Sequence, residues 1–123
     1  MRLTHVNVTM PPGAEDTARA FYGGQLGLAE IFMPEPHPRS PRGGVWFDGG
    51  GLDIHLSVEE LRDSAAARRH FGLACEDVGE ARARLAAAGV AVDDGRPMPW
   101  QRFFVNDPFG NRIEIHEPDA FAR

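Results

Sequence analysis

Three histidines and one glutamate carry the chemistry this sequence can do. His5, His55, His70 and Glu114 each lie in a stretch where apolar and polar residues alternate, the period of a half-buried β-strand. Imidazole and carboxylate are the ligands that divalent Zn, Ni, Fe and Mn share, and imidazole also exchanges protons near neutral pH. A single histidine in a strand is more often a hydrogen-bonded structural residue, so a metal site depends on how the four are placed together. The other two histidines carry less weight: His37 lies in a Pro-rich loop, and His116 shares the Glu114 face near a strand end.

The clearest positioning element is the stretch from Asn106 to Glu117. Asp107-Pro108-Phe109-Gly110 predicts a turn, with Pro presetting φ and Gly freeing a position for positive φ. It joins Phe103-Phe104-Val105 to Arg112-Ile113-Glu114-Ile115-His116, whose alternation puts Ile113 and Ile115 on a core face. Arg112, Glu114 and His116 share the opposite face.

From the start, Leu3 to Met10 reads as a strand, with Leu3, Val6 and Val8 as its apolar residues. Pro11-Pro12-Gly13 ends it, and Glu15 and Asp16 open a helix whose stripe is Ala14, Ala18, Phe21 and Tyr22, stopped at Gly23-Gly24. Leu28 to Met33 is a short strand, Pro34 to Gly44 a Pro-rich loop, and Val45-Trp46-Phe47 and Leu52 to Leu56 are two further strands around Gly49-Gly50-Gly51. Glu59 to Arg69 is a linker or a short helix. A second cycle follows: a strand with Phe71, Leu73 and Cys75 on one face, then Asp77 and Glu80 as a capping box. Val78, Ala81, Leu85 and Ala88 form the stripe of a second helix closed by Gly89, followed by a short strand at Val90 to Val92 and a loop from Asp93 to Pro99.

The order strand, helix, strand, strand, strand therefore occurs twice. Aligning the two cycles sets His5 opposite His70 and Ile54-His55-Leu56 opposite Ile113-Glu114-Ile115. Four ligand-type side chains on two pairs of equivalent positions point to a metal site. The expected organisation is one domain over residues 1–123, with module one at about 1–58, a linker at about 59–69 and module two at about 70–118.

Composition limits the partners. The chain has 123 residues, 42% of them hydrophobic and 25% charged, with a formal net charge of -5. There is no lysine and no dense arginine cluster, which argues against nucleic acid, because phosphate neutralisation needs clustered cations. No apolar run is long enough for a membrane span and the N-terminus has no signal-type apolar region, so a cytoplasmic location is expected. Cys75, the single cysteine, cannot form an internal disulfide and reads as a buried structural thiol.

The paired βαβββ modules, the histidine near the start of each and the closing Asp-Pro-Phe-Gly-Asn-Arg-Ile-Glu-Ile resemble the vicinal oxygen chelate superfamily. Its members include glyoxalase I, extradiol dioxygenases, fosfomycin-resistance transferases and bleomycin-resistance proteins. The resemblance implies an α+β fold: two βαβββ modules in pseudo-twofold repeat, forming a curved, partly closed mixed sheet around a cleft. His5, His70 and Glu114 match ligand positions of the metal-dependent branches. Position 55 departs, since glyoxalase I would have Glu or Gln there as ligand and acid/base; His55 can serve as ligand or base. Trp46, Trp100, Phe104 and Arg102 are the expected cleft-lining, substrate-binding residues.

The function implied is a divalent-metal-dependent, glyoxalase-like enzyme of lyase or isomerase type, acting on a small substrate with vicinal oxygens. The metal would be Zn, Ni, Fe or Mn. One alternative is an extradiol-type dioxygenase with a two-histidine, one-carboxylate iron site. Another is a bleomycin-resistance-type protein that sequesters a ligand without metal. Fosfomycin enzymes need a cationic pocket, for which the sequence offers only scattered arginines such as Arg102. A homodimer is expected, with the modules of one chain folded together or exchanged between two chains.

Overall fold

Alternation at the start of the chain produces β1 (His5–Met10), from which the chain turns into a short α1 (Glu15–Ala18). The protein is described here by a computed structural model covering residues 2–32, 43–60 and 69–120. The chain divides into two compact units, Met1–Arg62 and Asp63–Arg123.

In the first unit α1 runs on through a wider π-type stretch, Arg19–Gln25. Then come β2 (Glu30–Ile31), β3 (Gly44–Asp48) and β4 (Asp53–Val58), forming a sheet in the order β1-β4-β3-β2. β1 pairs with β4 in parallel, and β3 pairs antiparallel with both β4 and β2. The buried side chains are Met10, Ala18, Phe21, Tyr22, Val45, Phe47, Ile54 and Leu56. The Tyr22 ring stacks on Phe47 with centroids 5.4 Å apart, which fixes the helical segment to one face of β3. Each large side chain in this set contributes roughly 1.5–3 kcal/mol by leaving water. Alternation then leaves His5, Trp46 and His55 on the other face.

The second unit repeats the plan with β5 (His70–Ala74), α2 (Val78–Ala87), β6 (Arg102–Asn106) and β7 (Arg112–His116), in sheet order β5-β7-β6. β5 and β7 are parallel, β6 and β7 antiparallel. Asp77 caps α2, its carboxylate accepting from the Glu80 N–H at 2.9 Å. Val78, Ala81 and Leu85 bury the helix stripe in a core with Phe103, Val105, Ile113 and Ile115. In the β6–β7 turn the buried Asp107 carboxylate accepts from the N–H groups of Phe109 (2.9 Å) and Asn111 (2.8 Å) and from the Asn111 side-chain amide (2.7 Å). That replaces strand pairing with a closed local network, and it fixes where β7 begins.

The repeat extends to register. His5 lies opposite Asp53, with His55 two residues along; His70 lies opposite Arg112, with Glu114 two residues along. The two sheets are open and are not closed into a barrel.

Several sequence expectations shift. Gly23-Gly24 does not stop the first helix, which runs to Gln25; the reversal falls at Gly27, at a φ of 73°. Phe21 and Tyr22, immediately before that pair, are buried, so tertiary burial holds the helical turn through two glycines. Leu3 is 66% exposed because pairing begins only at His5. Val90 to Val92 form no strand; their place is taken by a single bridge between Asp93 and Phe104. Cys75 is half-buried, its thiol 3.4 Å from the Asp77 carbonyl oxygen. His37 and most of the Pro-rich loop and of the linker lie outside the described residues. Among the described residues, no helix is long and apolar enough to cross a membrane.

Candidate functional site

Each unit exposes one polar sheet face, and each face holds one pair of the predicted ligands. In the second unit, β5 presents His70, β7 presents Arg112, Glu114 and His116, and β6 presents Arg102 and Phe104. The carboxylate of Glu114, on a residue only 4% exposed, meets His70 and Arg102 on separate oxygens. His70 Nε2 is 3.1 Å from Oε2, and Arg102 Nη1 donates to Oε1 at 3.3 Å. A buried carboxylate needs such partners, since an uncompensated charge there is costly. Phe104, directly across the antiparallel pair from Glu114, forms the floor. His70 meets its ring edge-on at 5.2 Å, and the Arg102 and Arg112 guanidiniums lie 4.9 and 4.1 Å from its centroid.

In the first unit the pair is His5 and His55, whose rings stack with centroids 4.5 Å apart. Trp46, opposite His55 in the β3–β4 register, stacks on its other side at 3.6 Å, nearly parallel. His55 Nε2 is 3.8 Å from an Asp53 carboxylate oxygen. Beside the histidines, the Ser57 hydroxyl donates to the Asn7 side-chain oxygen at 2.7 Å.

His5, His55 and Trp46 therefore come together in one unit, and His70, Glu114, Arg102 and Phe104 in the other. Trp100 stands apart. With Val78, Arg82, Met98 and Arg102 it lines a cavity of about 340 Å³ between α2 and the segment leading into β6. Within neither unit do three His, Cys, Asp or Glu side chains cluster closely enough to hold an ion, among the described residues. The side chains of each pair, two imidazoles in the first unit and an imidazole with a carboxylate in the second, are of donor types that suit Zn, Ni, Fe or Mn.

Arg96 and Arg112 are functional candidates the sequence reading missed. With His70, Gly95, Arg102 and Phe104 they line a cavity of about 320 Å³ in the second unit. The arginines are thus not scattered. Arg112 is detectable from its alternation with Glu114, but Arg96 lies in a loop whose path the sequence pattern does not give.

The sequence matches the family model of the Glyoxalase/Bleomycin resistance protein/Dioxygenase superfamily over residues 2–115. The chain belongs to this family. Among solved structures it is similar to a Bacillus anthracis protein described as glyoxalase-family, with 41% identity, 95% of this chain and 94% of that one covered, and a TM-score of 0.83. It is also similar to lactoylglutathione lyase from Agrobacterium tumefaciens, at 20% identity, 99% and 97% coverage and a TM-score of 0.70. A third is TnmS3, an antibiotic binding protein from Streptomyces sp. CB03234, at 26% identity, 96% and 98% coverage and a TM-score of 0.68. No curated protein matches the chain.

Proposed function

We propose that this protein is a divalent-metal-dependent, glyoxalase-like enzyme of lyase or isomerase type, acting on a small substrate with two neighbouring oxygen atoms. The observation that carries the reading is the repeat of register: each unit sets one pair of ligand-type side chains side by side at equivalent positions. His5, His70 and Glu114 are the proposed ligands, with His55 beside them as the base, supplied by the two modules of one chain or by modules of two chains in a homodimer. A bound divalent ion would supply Lewis-acid stabilisation of the negative charge that develops on the substrate oxygens.

The protein's own groups do the rest. His55, held between His5 and Trp46, is the proposed base, because imidazole takes a proton near neutral pH from a carbon made acidic by an adjacent polarised oxygen. Arg102 holds and orients the Glu114 side chain through its hydrogen bond. Trp46 and Phe104 present flat apolar surfaces that restrict water beside the reacting oxygens.

The test is proton exchange. Metal-loaded protein incubated in deuterated water with small 2-oxo and 2-hydroxy compounds should incorporate deuterium at the carbon next to the oxygens, read by NMR. Incorporation should fall at least a hundredfold in His55→Ala, the usual size of a lost general base. Likeness to an antibiotic binding protein supports a second reading, ligand sequestration without metal. Tight binding of a small molecule by metal-free protein, with no exchange under any metal, favours that reading and defeats the first. Metal-bound protein that consumes dioxygen instead selects the dioxygenase branch.

A further inference from the structure

The arginine-lined cavity of the second unit has more positive charge than its neighbours offset. Arg102 is paired with Glu114 at 3.3 Å, and Arg112 with Asp93 at 3.4 Å. Arg96 has no ion-pair or hydrogen-bond partner for its guanidinium among the described residues, and it faces the same cavity with His70. Three arginines lining one cavity of about 320 Å³ repel one another. An anion in the cavity removes that cost.

The cavity is also built, because its wall is held in place from several sides. The backbone of Asp93 exchanges two hydrogen bonds with Phe104, at 2.9 and 2.7 Å. The Asp93 carboxylate accepts from the Gly95 N–H at 2.9 Å, turning the chain so that Gly95 adopts a φ of 64°. A Cβ at Gly95 would lie 3.1 Å from the Phe104 ring, so only glycine lets the loop close this far without displacing the ring. Arg102 Nη2 donates to the Arg96 carbonyl at 3.3 Å. One guanidinium thus ties the Arg96 backbone to the buried Glu114.

We propose that Arg96, Arg112 and Arg102 form an oxyanion-binding subsite, and that the substrate of this enzyme carries a carboxylate or phosphoryl group that docks there. The planar guanidinium fork suits both groups by paired charge-assisted hydrogen bonds. With two of the three arginines already offset, the cavity matches a small anion of low charge. His70 lines it, so the anion lies beside a proposed metal ligand. The assignment of the anion to the substrate rests on the enzyme reading above; the binding itself rests on the second unit alone.

The experiment uses the full chain freed of metal with a chelator, so that any anion bound is held by protein groups and not by an ion. Methylphosphonate and pyruvate are titrated separately at constant ionic strength and followed by NMR chemical shifts. Saturable binding of at least one is expected, weakened about tenfold or more in Arg96→Gln and unchanged in Arg84→Gln, which alters an exposed α2 ion pair away from the cavity. Whichever anion binds more tightly identifies the group as carboxylate or phosphoryl. Arg112→Gln, with circular dichroism to check folding, repeats the test if Arg96→Gln folds poorly. If neither anion saturates, or if the folded arginine variants bind as tightly as the parent, the subsite is overturned. Loss of the metal reading with anion binding intact would leave the subsite standing.

Discussion

The two units share strand order and register, yet their polar faces differ in chemical character. Where the second unit has Glu114, the first has His55, and where the second has Arg112 and Arg102, the first has Asp53 and Gly44. Phe104 and Trp46 occupy the same cross-strand position in each. The first face is aromatic: three rings stack, and no arginine is needed because, among the described residues, no carboxylate is buried there. The second buries a carboxylate and gives it a guanidinium and an imidazole as partners. One backbone plan therefore accepts either pair, provided the residues across from it on the neighbouring strands match in charge.

The largest effect expected from breaking this match is at Arg102. Arg102→Ala removes the guanidinium on buried Glu114 and the tie to the Arg96 carbonyl, and should destabilise the protein by about 3 kcal/mol in urea unfolding, the usual range for opening a buried pair. A smaller loss, about 2 kcal/mol, would come with Glu114→Ala, since Arg102 keeps its other contacts. Replacing His55 by Glu makes the first unit copy the second without its arginines. The new carboxylate would face Asp53 instead of a guanidinium, and a cost of about 1–2 kcal/mol is expected. Urea unfolding in which His55→Glu is as stable as the parent would contradict the charge-matching account. Trp46→Leu, which removes one stacked ring, should cost about 1 kcal/mol beyond lost area.

The smallest effect tests a pair outside both faces. Arg82 on α2 hydrogen-bonds Asp94, which holds the Asp94 carboxyl below its ordinary range. A folded-state value below the unfolded one means the contribution is present at neutral pH and lost as pH falls through that depressed value. Arg82→Ala should therefore melt slightly below the parent at pH 7, with the gap closing in acid. Thermal melts across that range provide the check. A gap that widens in acid would mean the pair acts some other way.

How much of this was legible depended on whether local pattern or tertiary packing decided the matter. β5 and β7 were readable because period-2 alternation writes a strand with one buried face, and α2 because Asp77 and its apolar stripe agree. The first helix was read short, since two glycines normally end a helix, and only the burial of Phe21 and Tyr22 against the sheet carries it past them. The ligand-type residues emerged from the repeat, which needs no knowledge of packing. Arg96 did not, because its position follows from an Asp93 turn and a bridge to Phe104, neither of which has a periodic signal. Trp100 is a cleft candidate by residue type alone, and it lines a cavity together with Arg102.

The central claim is that both units contribute ligands to a divalent ion. It is tested most directly by the metal content of protein made without a histidine tag, compared with His5→Ala from the first unit and Glu114→Ala from the second. The account predicts about one ion per chain in the parent and its loss in both variants, each shown to be folded. An ion that survives in His5→Ala and disappears only in Glu114→Ala would contradict it, and so would a parent protein that takes up none of Zn, Ni, Fe or Mn.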